Sequence, residues 1–356
     1  LFATEIGLSA TAAVASAILF NFSSFASIWM EFNTIWHTIL WLPLLLFIIE
    51  RGIKQRKLLL GQKILFILAL FSAITAGHPQ DFLNCFLFLV IYITIRLLTL
   101  KTWTNKEKIE FMTGLLFIIL IPFLLAAPQL LPTIELFKNS ARVNHDYQQI
   151  ISKMLVQWWQ FPLLVVQDFF GNPATKTNFT GDYVGKTLSI GVVGFSLTIA
   201  TLVDPKKSFH KIFFFWTALV IFLLTVNTPI TQLLYRYPIP IMSTGTPTRI
   251  LFLLMLSLSV LAGFGFDSLA KQKKIAVQLL FILSGIFVLL WLFALLHPAI
   301  PGLIYTAQSF IVMKRAMIFS SIILCAFIAI LIAKKYSSFA LYALIALSVV
   351  ELLYSF

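Results

Sequence analysis

Acidic residues, cysteine and the signatures of nucleotide chemistry are all scarce in this chain. Aspartate and glutamate number 13 in 356 residues, half the 26 lysines and arginines. The two cysteines, Cys85 and Cys325, lie far apart in apolar stretches, where a thiol usually acts as a small apolar filler. No CxxC or HExxH pattern occurs, which removes the sequence basis for a disulfide framework or a local zinc site. P-loop, GxGxxG and GxSxG motifs are missing too, so nucleotide-driven transport by this chain alone is unsupported. Gly263-Phe264-Gly265 is better explained by close helix packing. Charge is sparse as well, at 11% of residues.

What the chain has in abundance is apolar surface. Hydrophobic residues make up 60% of it, and mean hydropathy is +0.97. A water-soluble domain cannot bury that much, whereas a bilayer core takes about 20 apolar residues per helix. The fold class expected is therefore all-α: a polytopic integral membrane protein with about 10–11 transmembrane helices. The spans fall near 8–28, 34–50, 59–76, 80–98, 111–131, 187–203, 210–226, 248–266, 275–296, 316–333 and 337–356. Asn21, Ser23 and Ser24 interrupt the first of them. The apolar runs are continuous and not alternating, which favours helices over a barrel. The sequence reads as one transmembrane domain over 1–356, with a long outer loop at 132–186.

The net charge of +13 points to topology and not to nucleic acid. Seventeen of the 26 basic residues fall in alternate loops, at 51–63, 96–108, 206–211, 271–274 and 334–335. Basic loops stay cytoplasmic, with anionic lipid headgroups as their partners. The turn at 77–81 and the loops at 132–186, 227–247 and 297–315 then face outward. Within the long loop, residues 147–170 mix apolar and polar positions around Trp158 and Trp159. That pattern fits a helix lying in the outer interface or a re-entrant packing element.

Several outer-face residues are of the types that chemistry uses. The turn Gly77-His78-Pro79-Gln80-Asp81 carries an imidazole, an amide and a carboxylate. His78 and Asp81 can serve as general base, metal ligand or hydroxyl-binding groups, or simply cap the following helix. Gln129 and Glu135 flank a proline-broken span end at Pro128 and Pro132, either lining a cavity or lying in solvent. In the long loop, Asp168, Asn172, Asp182 and Tyr183 read mostly as solvated, and Asp182 as a cap for the next span. Arg236 and Arg249 share one outer loop. Arg249 opens an apolar span, where a guanidinium either binds a phosphate or snorkels to headgroups.

The order of these pieces resembles the bacterial YfhO-like membrane proteins of the GT-C glycosyltransferase superfamily. The stretches that carry the resemblance begin with Gly7-Leu8-Ser9, Phe20-Asn21-Phe22-Ser23-Ser24-Phe25, Trp41-Leu42-Pro43-Leu44 and Ala76-Gly77-His78-Pro79-Gln80. They continue through Ala127-Pro128-Gln129-Leu130-Leu131-Pro132 with Glu135, Ser140 and Arg142, then Tyr183-Val184-Gly185, Pro247-Thr248-Arg249 and Leu261-Ala262-Gly263-Phe264-Gly265. Together they run over most of the chain, each motif being short.

The resemblance implies a multi-pass enzyme of the bacterial cytoplasmic membrane. It would move a sugar from a polyprenyl-phosphate-linked donor to a cell-envelope polymer on the outer face. Joined to the residues, it makes Arg249 and Arg236 the groups that neutralise the departing phosphate. His78, Gln80 and Asp81 bind sugar or acceptor hydroxyls or a divalent cation, and Glu135 and Arg142 shape the cavity. The family places an acidic catalytic residue in the first outer loop. The chain opens at Leu1 and closes within an apolar run, so the expectation is an internal piece that begins beyond that loop, with its base unassigned. A transporter or flippase of a lipid-linked or envelope substrate is the alternative class, and a non-catalytic scaffold of an envelope-synthesis complex a third. No convincing inverted repeat supports transport.

Overall fold

The computed structural model describes residues 1–32, 35–139, 146–237, 245–296, 306–334 and 339–354. Helices dominate: α1 (Ala10–Asn21), α2 (Ser24–Glu31), α3 (Ile35–Gln55, broken at 40–41), α4 (Leu60–Thr75), α5 (Pro79–Thr99), α6 (Asn105–Leu125) and α7 (Ala127–Lys138). Then follow α8 (Gly191–Val203), α9 (Phe209–Thr225), α10 (Leu251–Lys271), α11 (Lys273–Leu296), α12 (Ala307–Ala333) and α13 (Ala340–Tyr354). This is an all-α, multi-pass membrane architecture. Among the described residues seven helices are long and apolar enough to cross a bilayer, or eight if α1 and α2, bent by 49°, form one span. The shorter apolar helices α4, α9 and α13 coincide with further apolar runs in the sequence.

The chain divides into two compact units. The first comprises Leu1–Gly7, Trp29–His145 and Pro238–Gly245, and the second Leu8–Ile28, Asp146–Tyr237 and Thr246–Phe356. In the first unit, α3, α4, α5 and α6 pack on one another, and the short helix Phe2–Glu5 lies on α3. Its lysine-rich end is laced with ion pairs. Glu5 takes Lys54 at 3.0 Å and Arg51 at 3.2 Å. Burial alone would raise the Glu5 pKa, but the two cations outweigh it and hold the carboxyl below its ordinary value. The fully buried Glu50 on α3 accepts from Tyr92 Oη at 2.7 Å and Arg96 Nε at 2.8 Å, both on α5. A paired buried charge of this kind fixes register between helices.

At the other end of that unit, the α6 helix stops at Leu125 and resumes at Ala127. Pro128 has no N–H to give to Leu124 O, which interrupts the helix, and it suits the first turn of a new one. Most of α6 is exposed along its length: only 22% of its apolar stretch is buried, as befits a lipid-facing helix.

The second unit is built around α10. The span Pro247–Lys271 is 83% buried, with α1, α8 and α9 packed against it. Glycines make that closeness achievable. A Cβ on Gly265 would stand 1.8 Å from Leu197 O, and one on Gly263 would stand 2.7 Å from Leu8 Cδ1. Packing, not nucleotide binding, accounts for the Gly-Phe-Gly motif. Thr198 Oγ1 then donates to Leu258 O at 3.1 Å across the contact, and Thr201 Oγ1 to Leu261 O.

The lysine-rich end of this unit is closed by Asp204. Its carboxylate accepts from Lys211 Nζ at 2.6 Å, Ser268 Oγ at 2.6 Å, Lys206 N at 3.1 Å and Gln272 Nε2 at 3.3 Å. Burial works to raise its pKa, but the donors prevail and bring it down to about 2.

Residues 147–170 differ from the single interfacial helix that their composition suggests. They form a helical turn at Tyr147–Gln149, a π turn at Ile150–Met154 and a 3-10 turn at Trp158–Leu164. Between the turns the backbone leaves the helix to pair with another segment: Val156 N donates to Thr225 O at 2.9 Å and Asn227 N to Val156 O at 2.7 Å. Only Trp158 is exposed; Trp159 is buried against Phe170, with centroids 5.3 Å apart.

Candidate functional site

In the first unit, the sequence-selected turn is assembled around Asp81. Gly77 takes φ 91°, a conformation that glycine adopts without cost, and turns the chain out of α4. His78 then caps α5, and Pro79 fills its first position. This geometry folds the imidazole back over its own helix. His78 Nδ1 lies 2.7 Å from Asp81 Oδ2, and Asp81 is completely buried while His78 remains a quarter exposed. Nδ1 also lies 3.4 Å from the Asp81 amide nitrogen, a longer and weaker contact. The short one is an ion-pair contact, whereas the hydrogen bond at this turn runs from the Asp81 N–H to Nδ1.

Neither Asp81 oxygen has a hydrogen-bond partner among the described residues, and Asn84 Nδ2, one turn along, has none either. Burying a carboxylate with so little compensation is costly. Gln80 lies beside this pair, its amide against Gly245, where a Cβ would stand 2.5 Å from Nε2. One turn thus supplies both the helix cap, with Nδ1 accepting from Asp81 N–H, and the close approach of the ring to the buried carboxylate.

The remaining sequence-selected residues of this unit do not converge in the same way. Gln129 and Glu135 are exposed on α7, and among the described residues the Glu135 carboxylate makes no hydrogen bond or ion pair. Arg142 lies outside the described residues. Among the described residues no three His, Cys, Asp or Glu side chains are grouped to hold a metal ion.

In the second unit, Arg236 is exposed at the end of the short helix Pro229–Tyr235, and Arg249 is half-buried in the 3-10 turn that leads into α10. Asp182 is a cap: its Oδ1 accepts from Gly185 N at 3.0 Å. Tyr183 turns the other way and donates to Asp168 Oδ1 at 2.7 Å, while Asn172 Nδ2 donates to Asp168 Oδ2 at 3.1 Å. Asp168, Asn172 and Tyr183 are therefore the internal lock of the loop and not merely solvated, as their sequence context suggests. Burial pushes the Asp168 carboxyl above its ordinary value, and these two donors restrain the rise. The lock needs Gly171, at φ 86°, where a Cβ would stand 2.2 Å from Thr177 O.

Sequence reasoning missed Glu351 altogether. Its carboxylate, on α13, accepts the backbone N–H groups of Val192 and Val193 at the head of α8, the latter at 3.0 Å. A lone acid in an apolar run was the available signal, because such residues are expensive in a membrane and need a partner.

Fold and site together define a helical multi-pass membrane protein with a carboxylate–imidazole pair at one helix head. No family model, no curated protein and no solved structure matches the chain.

Proposed function

We propose that the protein is a membrane glycosyltransferase of the YfhO-like, GT-C kind, using a polyprenyl-phosphate-linked sugar and a cell-envelope polymer at the outer face of the bacterial cytoplasmic membrane. All eleven apolar stretches cross the bilayer in this reading. Of the shorter apolar helices α4, α9 and α13, the last has 15 residues and reaches only about 22 Å at 1.5 Å per residue, so the membrane thins there or flanking groups reach out to the headgroups.

The observation that carries the proposal is the His78 imidazole seated on the buried Asp81 carboxylate. Glycosyl transfer needs a base for the acceptor hydroxyl and a stabilised phosphate leaving group. In this reading the ring proton sits on Nδ1, toward Asp81, and His78 Nε2 takes the hydroxyl proton as the oxygen attacks the anomeric carbon. The sugar–phosphate C–O bond breaks, and its electron pair leaves with the lipid phosphate. Asp81 stabilises the imidazolium that forms and holds its tautomer. By loop charge, Arg249 and Arg236 also lie on the outer side, where a guanidinium suits a lipid phosphate.

The test is sugar incorporation into the envelope of cells whose only copy is His78→Ala or Asp81→Asn, with membrane protein levels matched. Incorporation is expected to fall about 100-fold or more. Incorporation at the parental level would end the proposal. Substrate counterflow in liposomes with no lipid-linked sugar consumed would replace it with transport.

A further inference from the structure

The second unit holds a cavity of about 400 Å³, within the range of roughly 300–1,000 Å³ typical of small-molecule sites. Its walls come from the locked loop at 165–177, the head of α8, the first half of α12 and the last turn of α13. It sits at the end of this unit's helices opposite Asp204 and Lys211, and hence on the outer side by the loop-charge rule.

The chemistry of the walls is selective. Both carboxylates in them are already engaged: Asp168 by Tyr183 and Asn172, Glu351 by the α8 backbone. Arg315 is the opposite case. It lines the cavity, is exposed, and among the described residues makes no hydrogen bond or ion pair. The cavity thus has spent acids and an unspent guanidinium, whose planar fork suits a phosphate or carboxylate.

One rim is aromatic. Phe319 and Tyr354 stack at 4.1 Å between centroids with an interplanar angle of 20°. A flat aromatic pair presents a negative quadrupolar face to the weakly positive C–H bonds of a sugar ring. Gln167 and Gln308 add amides that can both donate to and accept from hydroxyls.

We propose that this cavity binds a saccharide unit carrying one anionic group, with the phosphate or carboxylate on Arg315 and the ring against Tyr354. The proposal is independent of the transfer chemistry assigned to His78 and Asp81, because no element of it uses that pair.

Calorimetry on the full chain in nanodiscs, with glucose 1-phosphate, glucose and inorganic phosphate as probes, tests it. Glucose 1-phosphate is expected to bind saturably and at least tenfold more tightly than either of the others. Arg315→Gln should remove that advantage and leave the weak glucose binding unchanged, while Tyr354→Ala should weaken both sugars. Both side chains are exposed, so neither change endangers folding. A long-chain alkyl glucosyl phosphate supplied in the nanodisc separates the two sources of the unit: tighter binding than glucose 1-phosphate assigns it to a lipid, equal binding to a water-borne glycan. Absence of saturable binding, unchanged affinity in Arg315→Gln, or inorganic phosphate binding as tightly as the sugar phosphate overturns the proposal.

Discussion

Asp81 and Asp204 are both buried acids at helix ends, and they are furnished in opposite ways. Asp204 has four donors, two of them at 2.6 Å, and a pKa brought down to about 2. Asp81 is more deeply buried and has one imidazole. A carboxylate saturated with donors is a staple: its charge is neutralised in the ground state, and nothing is left to react. An under-furnished carboxylate, faced by a single imidazole, stores that cost in a form chemistry can use. The contrast separates what holds the protein together from what it does.

Removing each acid in turn is the sharpest way to break this comparison. Asp204→Ala leaves Lys211 without its carboxylate and should cost about 3 kcal/mol in unfolding free energy. Asp81→Asn removes a buried, under-compensated charge and should lower turnover without lowering the unfolding free energy. If midpoint and turnover moved together in both variants, the division into staple and site would fail. Denaturation in detergent micelles with a fluorescence readout measures the first quantity, and labelled-sugar incorporation the second.

Acid titration sharpens the same point. The folded pKa of Asp204, about 2, lies below its unfolded value of about 3.9. Its stabilisation is therefore fully present above about pH 5 and is lost as pH falls through 2, amounting to roughly 2–3 kcal/mol. Parental protein should lose stability over that window, and Asp204→Asn should show a flatter profile there. A smaller effect belongs to the loop lock. Tyr183→Phe removes the 2.7 Å donor to Asp168 and should cost about 1 kcal/mol. It should also push the Asp168 carboxyl higher still, visible as a shifted carboxyl titration.

The apolar runs and the alternation of basic loops were enough to place the helices, because burial in lipid writes itself into composition. His78 and Asp81 were legible as polar groups of one turn at a helix head, but not as a contacting pair, although their three-residue spacing brings them together. The lock of Asp168, Asn172 and Tyr183 was not legible, since it depends on a loop bent at Gly171 that no periodicity announces. Residues 147–170 were misread because Val156 finds backbone partners beyond Thr225, and a long-range pairing of that kind overrides local propensity. Glu351 and Val192 are 159 positions apart, which puts their contact beyond any local pattern.

That last separation has a consequence for how the protein is made. Gly191 has φ 78°, and a Cβ there would stand 2.8 Å from the Glu351 carboxylate, so the head of α8 is shaped in advance for an acid that the ribosome has not yet added. During synthesis α8 enters the membrane with the amides of Val192 and Val193 waiting. Only when α13 is inserted are they satisfied, and the same insertion brings Tyr354 to the cavity rim. Membrane insertion and completion of the cavity are then a single event. A ribosome stalled before α13 would leave those two amides without their carboxylate and the cavity without its Tyr354 rim.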